Sequence, residues 1–354
     1  MSKKIYLVCY TEAGEQTMRR AERALQIPGR QTVCLVKPKG GGFLSECWQE
    51  ASAIVFVGAA GIAVRLCAPY IRDKFQDPAV VVMDERSSYV IPLLSGHAGG
   101  ANELACFLAR QMDALPVITT ATDVNGCFAV DVFAVKNHLI LPDRKGAKLF
   151  SAGLLEGKTA GFFCEGPVTG RLPRQLEQTK TRKDLTRFPQ ALLIAERPEN
   201  PHPEQRILSL YPRHLTVGMG CRKGISKEKL EQFLLRQLSR LGYSIRQVKR
   251  LASIDKKAEE PGLRALAEGL GIPFVTWPAG ELEKVDGKFH ESAFVSRIMG
   301  IGNVCERAAV LGSRGGRLVL EKTAREGMTL AIAAEDWSVN FDESICDRPG
   351  TGPV

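Results

Sequence analysis

A histidine set among three glycines is the first feature of this sequence that could do chemistry. It lies in Ser95-Gly-His-Ala-Gly-Gly100, between an apolar run at 89–94 and an amphipathic helix that begins near Ala101. The N–H groups at a helix N-terminus lack partners within the helix, so this turn can hold a carboxylate, a phosphate or an oxyanion. The imidazole of His97 titrates near neutral pH and is a candidate general base. The alternative is a tight turn in which the histidine only caps or packs.

Polar residues near this turn and after the next predicted strand could complete a site. The candidate acid–base groups beside His97 are Asp123 and Glu103. The candidate substrate-binding residues are Ser95, Gly96, Gly99, Gly100, Asn102, Thr119, Thr120 and Asn125. Asp123 and Asn125 equally fit ordinary turn chemistry, because Asp-Val-Asn-Gly favours a turn.

Further glycine-rich turns carry cations that can pair with carboxylates, although a lone surface cation is more often simply solvated. The substrate-binding candidates in these turns are Gly58, Gly61, Arg65, Gly218, Gly220, Arg222, Lys223, Lys256 and Lys257. Neither glycine series matches the dinucleotide-binding fingerprint. The first lacks the middle glycine, the second places its third glycine one residue late, and neither has a clear acidic partner downstream. The histidines and cysteines show no metal-ligand spacing, so no metal site is expected.

Alternating strands and helices must position these turns. Apolar, β-branched runs at 53–57 and 79–83 favour buried strands, and a hairpin or sharp reversal is expected at 84–88. The pattern predicts an α/β layered domain over residues 1–130 with a mainly parallel sheet. In such sheets ligands bind beyond the carboxyl ends of the strands. The loops that start at Gly58, Ser95 and Thr119 are therefore expected to lie together.

The remaining chain divides by the strength of its signals. Residues 131–212 show short strands and proline-rich loops, which predict a small middle subdomain and linker. Residues 213–336 again show a strand followed by a glycine-rich turn and a helix, and this pattern predicts a second, smaller α/β domain. Residues 337–354 are expected to form a tail.

Composition restricts the partners. The net charge of +9 favours an anionic partner, but charges of both signs are mixed and aromatics make up only 7%, which disfavours nucleic acid and membrane surfaces. An acidic small molecule fits at least as well. Ten scattered cysteines without a C-x-x-C pair predict free thiols and a cytoplasmic location. No apolar run approaches the roughly 18 residues that a membrane span needs.

Several blocks of the sequence together resemble the cobalt-precorrin-5A hydrolases of anaerobic cobalamin biosynthesis. The resemblance extends from about Ala51 to Ala333, and the part from Leu215 is similar to a small module found alone in the aerobic pathway. The blocks are Gly58-Ala-Ala-Gly-Ile-Ala-Val-Arg65, Leu93-Leu-Ser-Gly-His-Ala-Gly-Gly-Ala-Asn-Glu103, Thr119-Thr-Ala-Thr-Asp123, Val217-Gly-Met-Gly-Cys-Arg-Lys-Gly224, Ser253-Ile-Asp-Lys-Lys-Ala-Glu-Glu-Pro-Gly262 and Val304-Cys-Glu-Arg-Ala-Ala309.

The resemblance implies a reaction in which water opens the δ-lactone of a cobalt-bound tetrapyrrole. A carbon then leaves with its methyl group as acetaldehyde, which gives cobalt-precorrin-5B. The expected partner is this anionic cobalt-tetrapyrrole, with other cobalamin-pathway enzymes as further candidates. The cobalt would arrive inside the substrate, so no cofactor of the protein is expected.

For this reaction, His97 would deprotonate the attacking water. The amides around Gly96, Gly99 and Gly100 would stabilise the oxyanion, and Asp123 or Glu103 would relay a proton. Two other classes stay open: a carrier that binds tetrapyrrole intermediates without catalysis, and an unrelated dinucleotide-binding α/β enzyme.

Overall fold

The computed structural model describes residues 4–26, 31–40, 42–73, 76–96, 99–120, 124–198, 206–287, 289–290 and 302–342. The chain forms two compact units. The first contains the described residues up to Val132, together with Leu154–Glu156 and Asp342. The second contains the described residues of Phe133–Gly153 and Gly157–Phe341.

The first unit is built on a six-stranded sheet with strand order β2-β1-β3-β4-β5-β6. The strands are β1 (Lys4–Cys9), β2 (Gln31–Val36), β3 (Ala51–Val57), β4 (Ala79–Met83), β5 (Tyr89–Leu94) and β6 (Leu115–Pro116). The helices are α1 (Glu12–Ala24), α2 (Gly42–Cys47), α3 (Ala60–Cys67) and α4 (Ala101–Met112). Only the β4–β5 pair is antiparallel, which confirms the predicted α/β domain with a mainly parallel sheet.

Helices cover both faces of this sheet, which explains why its central strands are apolar without alternation. On one face, α1 and α4 pack against the side of β3 that carries Val55. On the other face, α2 and α3 pack against the side that carries Ile54. Strand β4 is buried along its whole length. The core therefore consists of two layers, one on each side of the sheet.

The reversal at β5 separates two loops that the sequence predicts to lie together. Val57 lies beside Met83, and the antiparallel register then places Met83 beside Val90 and Val80 beside Leu94. Gly58 therefore leaves one end of the sheet and Ser95 the opposite end. The expected common location of the Gly58, Ser95 and Thr119 loops is wrong for Gly58. It is confirmed for the other two, because β6 runs parallel to β5.

In the second unit, the sequence between residues 139 and 212 forms a five-stranded sheet with order β10-β8-β11-β12-β7. All its pairs are parallel except β12–β7. Its strands are β7 (Leu139–Ile140), β8 (Ala160–Cys164), β10 (Leu176–Gln178), β11 (Ala191–Ile194) and β12 (Ile207–Pro212). A further short strand, β9 (Val168–Thr169), follows β8 in the chain and is not part of this sheet. Two helices, α5 (Val130–Lys136) and α6 (Arg144–Leu155), precede β8.

A late segment of the chain returns to this middle region. Strand β18 (Val339–Asn340) pairs in parallel with β9. The ring of Phe341 stacks on Phe133 at a centroid distance of 4.5 Å and meets Phe162 edge-on at 5.1 Å. The sequence places these residues in a tail, whereas here they pair and pack.

The C-terminal sheet of the second unit has strand order β15-β14-β13-β17-β16, with β13, β14 and β15 parallel. The strands are β13 (Leu215–Cys221), β14 (Val248–Ile254), β15 (Phe274–Trp277), β16 (Arg317–Arg325) and β17 (Met328–Ala334). The helices are α7 (Lys227–Leu241), α8 (Pro261–Leu270), α9 (Ala279–Glu283) and α10 (Cys305–Gly312). This is the second α/β layer arrangement that the sequence predicts.

Two further expectations concern cysteines and membrane spans. Eight of the described cysteines carry free thiols. In the described part of the chain, no helix is both long and apolar enough to cross a bilayer.

Candidate functional site

The Ser95 turn is a compact hydrogen-bonded loop. Ser95 adopts a left-handed backbone conformation with φ 55° and donates its Oγ hydrogen to the Asp77 carbonyl at 3.1 Å. Its own carbonyl accepts from the N–H groups of Gly99 at 3.1 Å and Ala101 at 3.2 Å. The Gly99 amide is therefore already used, which removes it from the predicted oxyanion-binding set. Within the described residues, the amides of Gly96 and Gly100 make no backbone hydrogen bond.

Close packing explains two of the glycines in this turn. A Cβ atom on Gly99 would lie 2.4 Å from the Ser95 Cβ, and one on Gly96 would lie 2.7 Å from the Asn102 Oδ1. Neither position has room for a side chain. Gly100 has φ 83° and occupies the N-cap of α4, where glycine is favoured. The glycines thus shape the turn as well as leaving its backbone accessible.

Asn102 joins the Ser95 turn to the loop after β6. This residue is only 8% exposed. Its backbone N–H donates to the Gly96 carbonyl at 2.9 Å, and its side-chain Nδ2 donates to the Thr120 Oγ at 3.0 Å. These bonds bring together the predicted substrate-binding residues on both loops. Thr119 is exposed beside them.

The predicted acid–base residues are only partly covered by the structure. His97 and Asp123 lie outside the described residues, so their catalytic roles stay predictions. Glu103 lies exposed in the first turn of α4. Asn125 is also exposed.

The Gly58 turn lies at the other end of the same sheet. Gly58 has φ 148°, and its N–H donates to the Met83 carbonyl at 2.8 Å. Arg65 folds back along α3 and donates from Nη1 to the Gly61 carbonyl at 3.2 Å. Within this unit, the turn therefore cannot share a binding site with the Ser95 turn.

In the second unit, the carboxyl ends of β13 and β14 bring two basic turns together. Gly218 needs to be glycine, because a Cβ atom there would lie 1.8 Å from the Cys305 carbonyl oxygen on α10. A Cβ atom on Gly220 would lie 3.0 Å from the Thr329 Oγ. The predicted cations Arg222, Lys223 and Lys256 are exposed in these turns.

Glu260 connects these two turns. Its carboxylate accepts from the Gly224 N–H at 2.8 Å and from the Lys257 ammonium at 2.8 Å. The side chains of Glu260 and Lys257 are only 6% and 12% exposed. The hydrogen bonds from Lys257 and Gly224 hold the pKa of Glu260 below its usual value. Lys257, predicted to bind substrate, thus has a carboxylate partner within the protein.

A second buried carboxylate, Glu306, lies in the first turn of α10. It is fully buried and accepts from the backbone N–H groups of His290 at 3.0 Å and Lys322 at 2.6 Å. Burial raises its pKa, but these N–H groups and the His290 imidazole outweigh burial and lower it overall. Asn303 donates to the same carboxylate at 2.5 Å.

The carboxylate of Glu306 also orients an exposed imidazole. His290 Nδ1 lies 3.3 Å from Glu306 Oε1, while the side chain of His290 is 66% exposed. The Nε2 of the same ring lies 3.9 Å from the Glu321 Oε2 on β16, so a carboxylate faces each ring nitrogen. The sequence reasoning missed this pair and Glu260. Glu260 and Glu306 lie in the blocks 253–262 and 304–309 that carry the family resemblance, but the sequence alone assigned no role to either glutamate.

Strand ends with glycine turns and adjacent cations, on mainly parallel sheets, are the features of an α/β protein that binds a small ligand. Two family models match this chain: Cobalamin synthesis G N-terminal over residues 42–123 and Cobalamin synthesis G C-terminus over residues 215–333. The chain belongs to the cobalt-precorrin-5A hydrolase family, and the resemblance that the sequence blocks carry is confirmed.

Two curated relatives support this assignment, and a third is similar to part of the chain. The chain is 35% identical over 349 residues to the cobalt-precorrin-5A hydrolase of Salmonella typhimurium, covering 93% of this chain and 97% of the relative. It is 31% identical over 304 residues to the enzyme of the same name from Priestia megaterium, covering 82% and 80%. Protein CobE of a Sinorhizobium species is 29% identical over 121 residues, covering 34% of this chain and 79% of the relative.

Proposed function

We propose that this chain is a cobalt-precorrin-5A hydrolase that opens the δ-lactone of its substrate and releases acetaldehyde, giving cobalt-precorrin-5B. The supporting observation is the 35% identity to a relative of that name over 93% of this chain. The chain is accordingly an enzyme of cobalamin biosynthesis. The cytoplasm is the proposed location, because the eight free thiols suit a reducing compartment.

The charges of the second unit suit this substrate. Arg222, Lys223 and Lys256 stand exposed at the carboxyl ends of β13 and β14, where they can pair with acetate and propionate carboxylates. The cobalt is proposed to arrive within the substrate. In the described residues, no group of three or more histidine, cysteine, aspartate or glutamate side chains could hold a metal ion.

The reaction requires protons to be removed twice. A base first takes a proton from water while the water oxygen attacks the lactone carbonyl, the ring C–O bond breaks and the alkoxide is protonated. The resulting hydroxyl then loses its proton as the C=O bond of acetaldehyde forms, the C–C bond breaks and the electron pair stays on the macrocycle. His97 is the proposed base for the water.

The test is anaerobic incubation of the purified protein with cobalt-precorrin-5A, with acetaldehyde trapped as a hydrazone. Acetaldehyde release at a rate proportional to protein is expected. Substrate binding without acetaldehyde would identify a carrier instead. His97→Gln should lower kcat by roughly a hundredfold or more, as for loss of a general base. Turnover by His97→Gln at the parental rate would refute the assignment of the base.

A further inference from the structure

A basic groove on the second unit takes no part in the sites described above. It has a volume of about 410 Å³ and lies between α7 and the carboxyl-terminal part of β16. Its size falls within the range of about 300–1,000 Å³ that is typical of small-ligand pockets. Phe233, which is 4% exposed, supplies an apolar wall.

Three arginines line this groove with little charge compensation. Arg236 and Arg240 lie one turn apart on α7, where like charges repel each other, and Arg325 lies on β16. Within the described residues, Arg236 and Arg240 pair with no carboxylate. Arg325 pairs with Glu326 at 3.0 Å, and both side chains of that pair are more than half exposed. The groove therefore carries a net positive charge that a bound anion would offset.

A buried amide also lines the groove. Gln237 is 5% exposed, and in the described part of the chain its side chain makes no hydrogen bond. The Gln237 Nε2 can therefore donate to a ligand oxygen in the groove.

We propose that this groove binds the acetate or propionate carboxylates at the rim of the tetrapyrrole substrate. This inference rests on the proposed function. Guanidinium groups hold carboxylates through two parallel N–H bonds, and two arginines one helical turn apart can each take one oxyanion or share one. The groove is a binding subsite that takes no part in opening the lactone. It therefore binds the substrate and the transition state equally.

Kinetics of the double variant Arg236→Gln/Arg240→Gln test the proposal. Loss of uniform binding raises KM and leaves kcat unchanged. We expect KM for cobalt-precorrin-5A to rise roughly tenfold or more, as for the loss of charge-assisted hydrogen bonds. The control is Arg264→Gln, which removes an exposed arginine of α8 outside the groove. Unchanged KM in the double variant, or a fall in kcat alone, would overturn the proposal.

A direct binding measurement separates this proposal from the proposed function. The probes are a porphyrin octacarboxylate and inorganic phosphate, titrated calorimetrically against the parent, the double variant and Gln237→Leu. Porphyrin affinity should fall at least tenfold in the double variant and also fall in Gln237→Leu, with far-ultraviolet dichroism unchanged. Binding of phosphate alone through these residues would overturn the carboxylate assignment. A parent that binds porphyrin through the groove but releases no acetaldehyde would refute the hydrolase function and leave the groove standing.

Discussion

Replacing Glu260 with glutamine should destabilise the second unit by about 2 kcal/mol. The side chains of Glu260 and Lys257 are 6% and 12% exposed. Glutamine would therefore leave the Lys257 ammonium with little access to water and without its counter-charge. Exposed ion pairs contribute about 0–1 kcal/mol, and breaking a fully buried pair costs about 3–5 kcal/mol. This pair lies between those limits. Glutamine keeps an acceptor for the Gly224 N–H, so the change isolates the charge.

The assay is urea unfolding of the full chain at neutral pH, with thermal unfolding alongside. For a unit of this size, about 2 kcal/mol corresponds to a Tm lowered by roughly 4–8 °C. A matched control is the neighbouring Glu259→Gln, because Glu259 and its partner Arg264 have side chains 84% and 59% exposed. That variant should change the free energy of unfolding by less than about 0.5 kcal/mol.

The pH dependence supplies an independent check. The folded protein holds the pKa of Glu260 below its usual value, so the stabilisation is complete above the unfolded pKa of about 4.3 and is lost as the pH falls through the folded pKa. The difference between parent and Glu260→Gln should therefore be constant near neutrality and shrink below about pH 4. Equal stability of parent and variant at pH 7 would refute the reasoning. The double variant Lys257→Met/Glu260→Gln gives a second test. If it lost as much free energy of unfolding as the single variant, the unpaired Lys257 ammonium would not be the cause of the loss, and the reasoning would also be refuted.

Three more outcomes follow from particular contacts. Gly218→Ala should cost about 3 kcal/mol or more in urea unfolding, because its Cβ would lie 1.8 Å from the Cys305 carbonyl oxygen; a loss below about 1 kcal/mol would show that α10 can shift freely. Burial lowers the pKa of His214, so the unfolded chain takes up its proton first and the free energy of unfolding should drop as the pH falls below about 6.5. A profile identical to that of His214→Asn would contradict this. Asn102→Ala and Thr120→Val should each cost about 1 kcal/mol, and the double variant less than their sum; strict additivity in chemical denaturation would show that the 3.0 Å hydrogen bond contributes nothing.

The sequence predicts the elements better than their directions. The apolar runs at 79–83 and 89–94 are strands with the predicted bounds, and the reversal between them is the β4–β5 hairpin. That hairpin also determines where Ser95 emerges, since an antiparallel neighbour ends at the opposite side of the sheet. A common location for Gly58 and Ser95 is incompatible with it. Local patterns specify each strand separately, whereas direction depends on pairing across the sheet.

The site was predictable where glycine and polar residues are close in sequence. Asn102 and Thr120 meet because β5 and β6 are parallel neighbours. Glu306 was missed because a charged residue in a helical pattern indicates solvent exposure, and Glu260 because it lies in a charged stretch that is predicted as a loop. Their burial depends on partners distant in sequence, such as Gly224 for Glu260 and Lys322 for Glu306. No local periodicity encodes those contacts.

The pairing of β18 with β9 determines how the chain can be divided into fragments. Leu215–Ala334 spans the C-terminal sheet, and the chain then returns to the middle region, where Phe341 packs on Phe133. The C-terminal sheet thus lies, in sequence, between two segments that pack together in the middle region. A single cleavage near Arg213 would put Val339–Phe341 on a different fragment from β9 and Phe133, with which these residues pair and pack. Excision of Leu215–Ala334 with a short splice from Arg213 to Glu335 would keep both parts whole, because the Glu335 N–H already bonds to the His214 carbonyl at 2.9 Å.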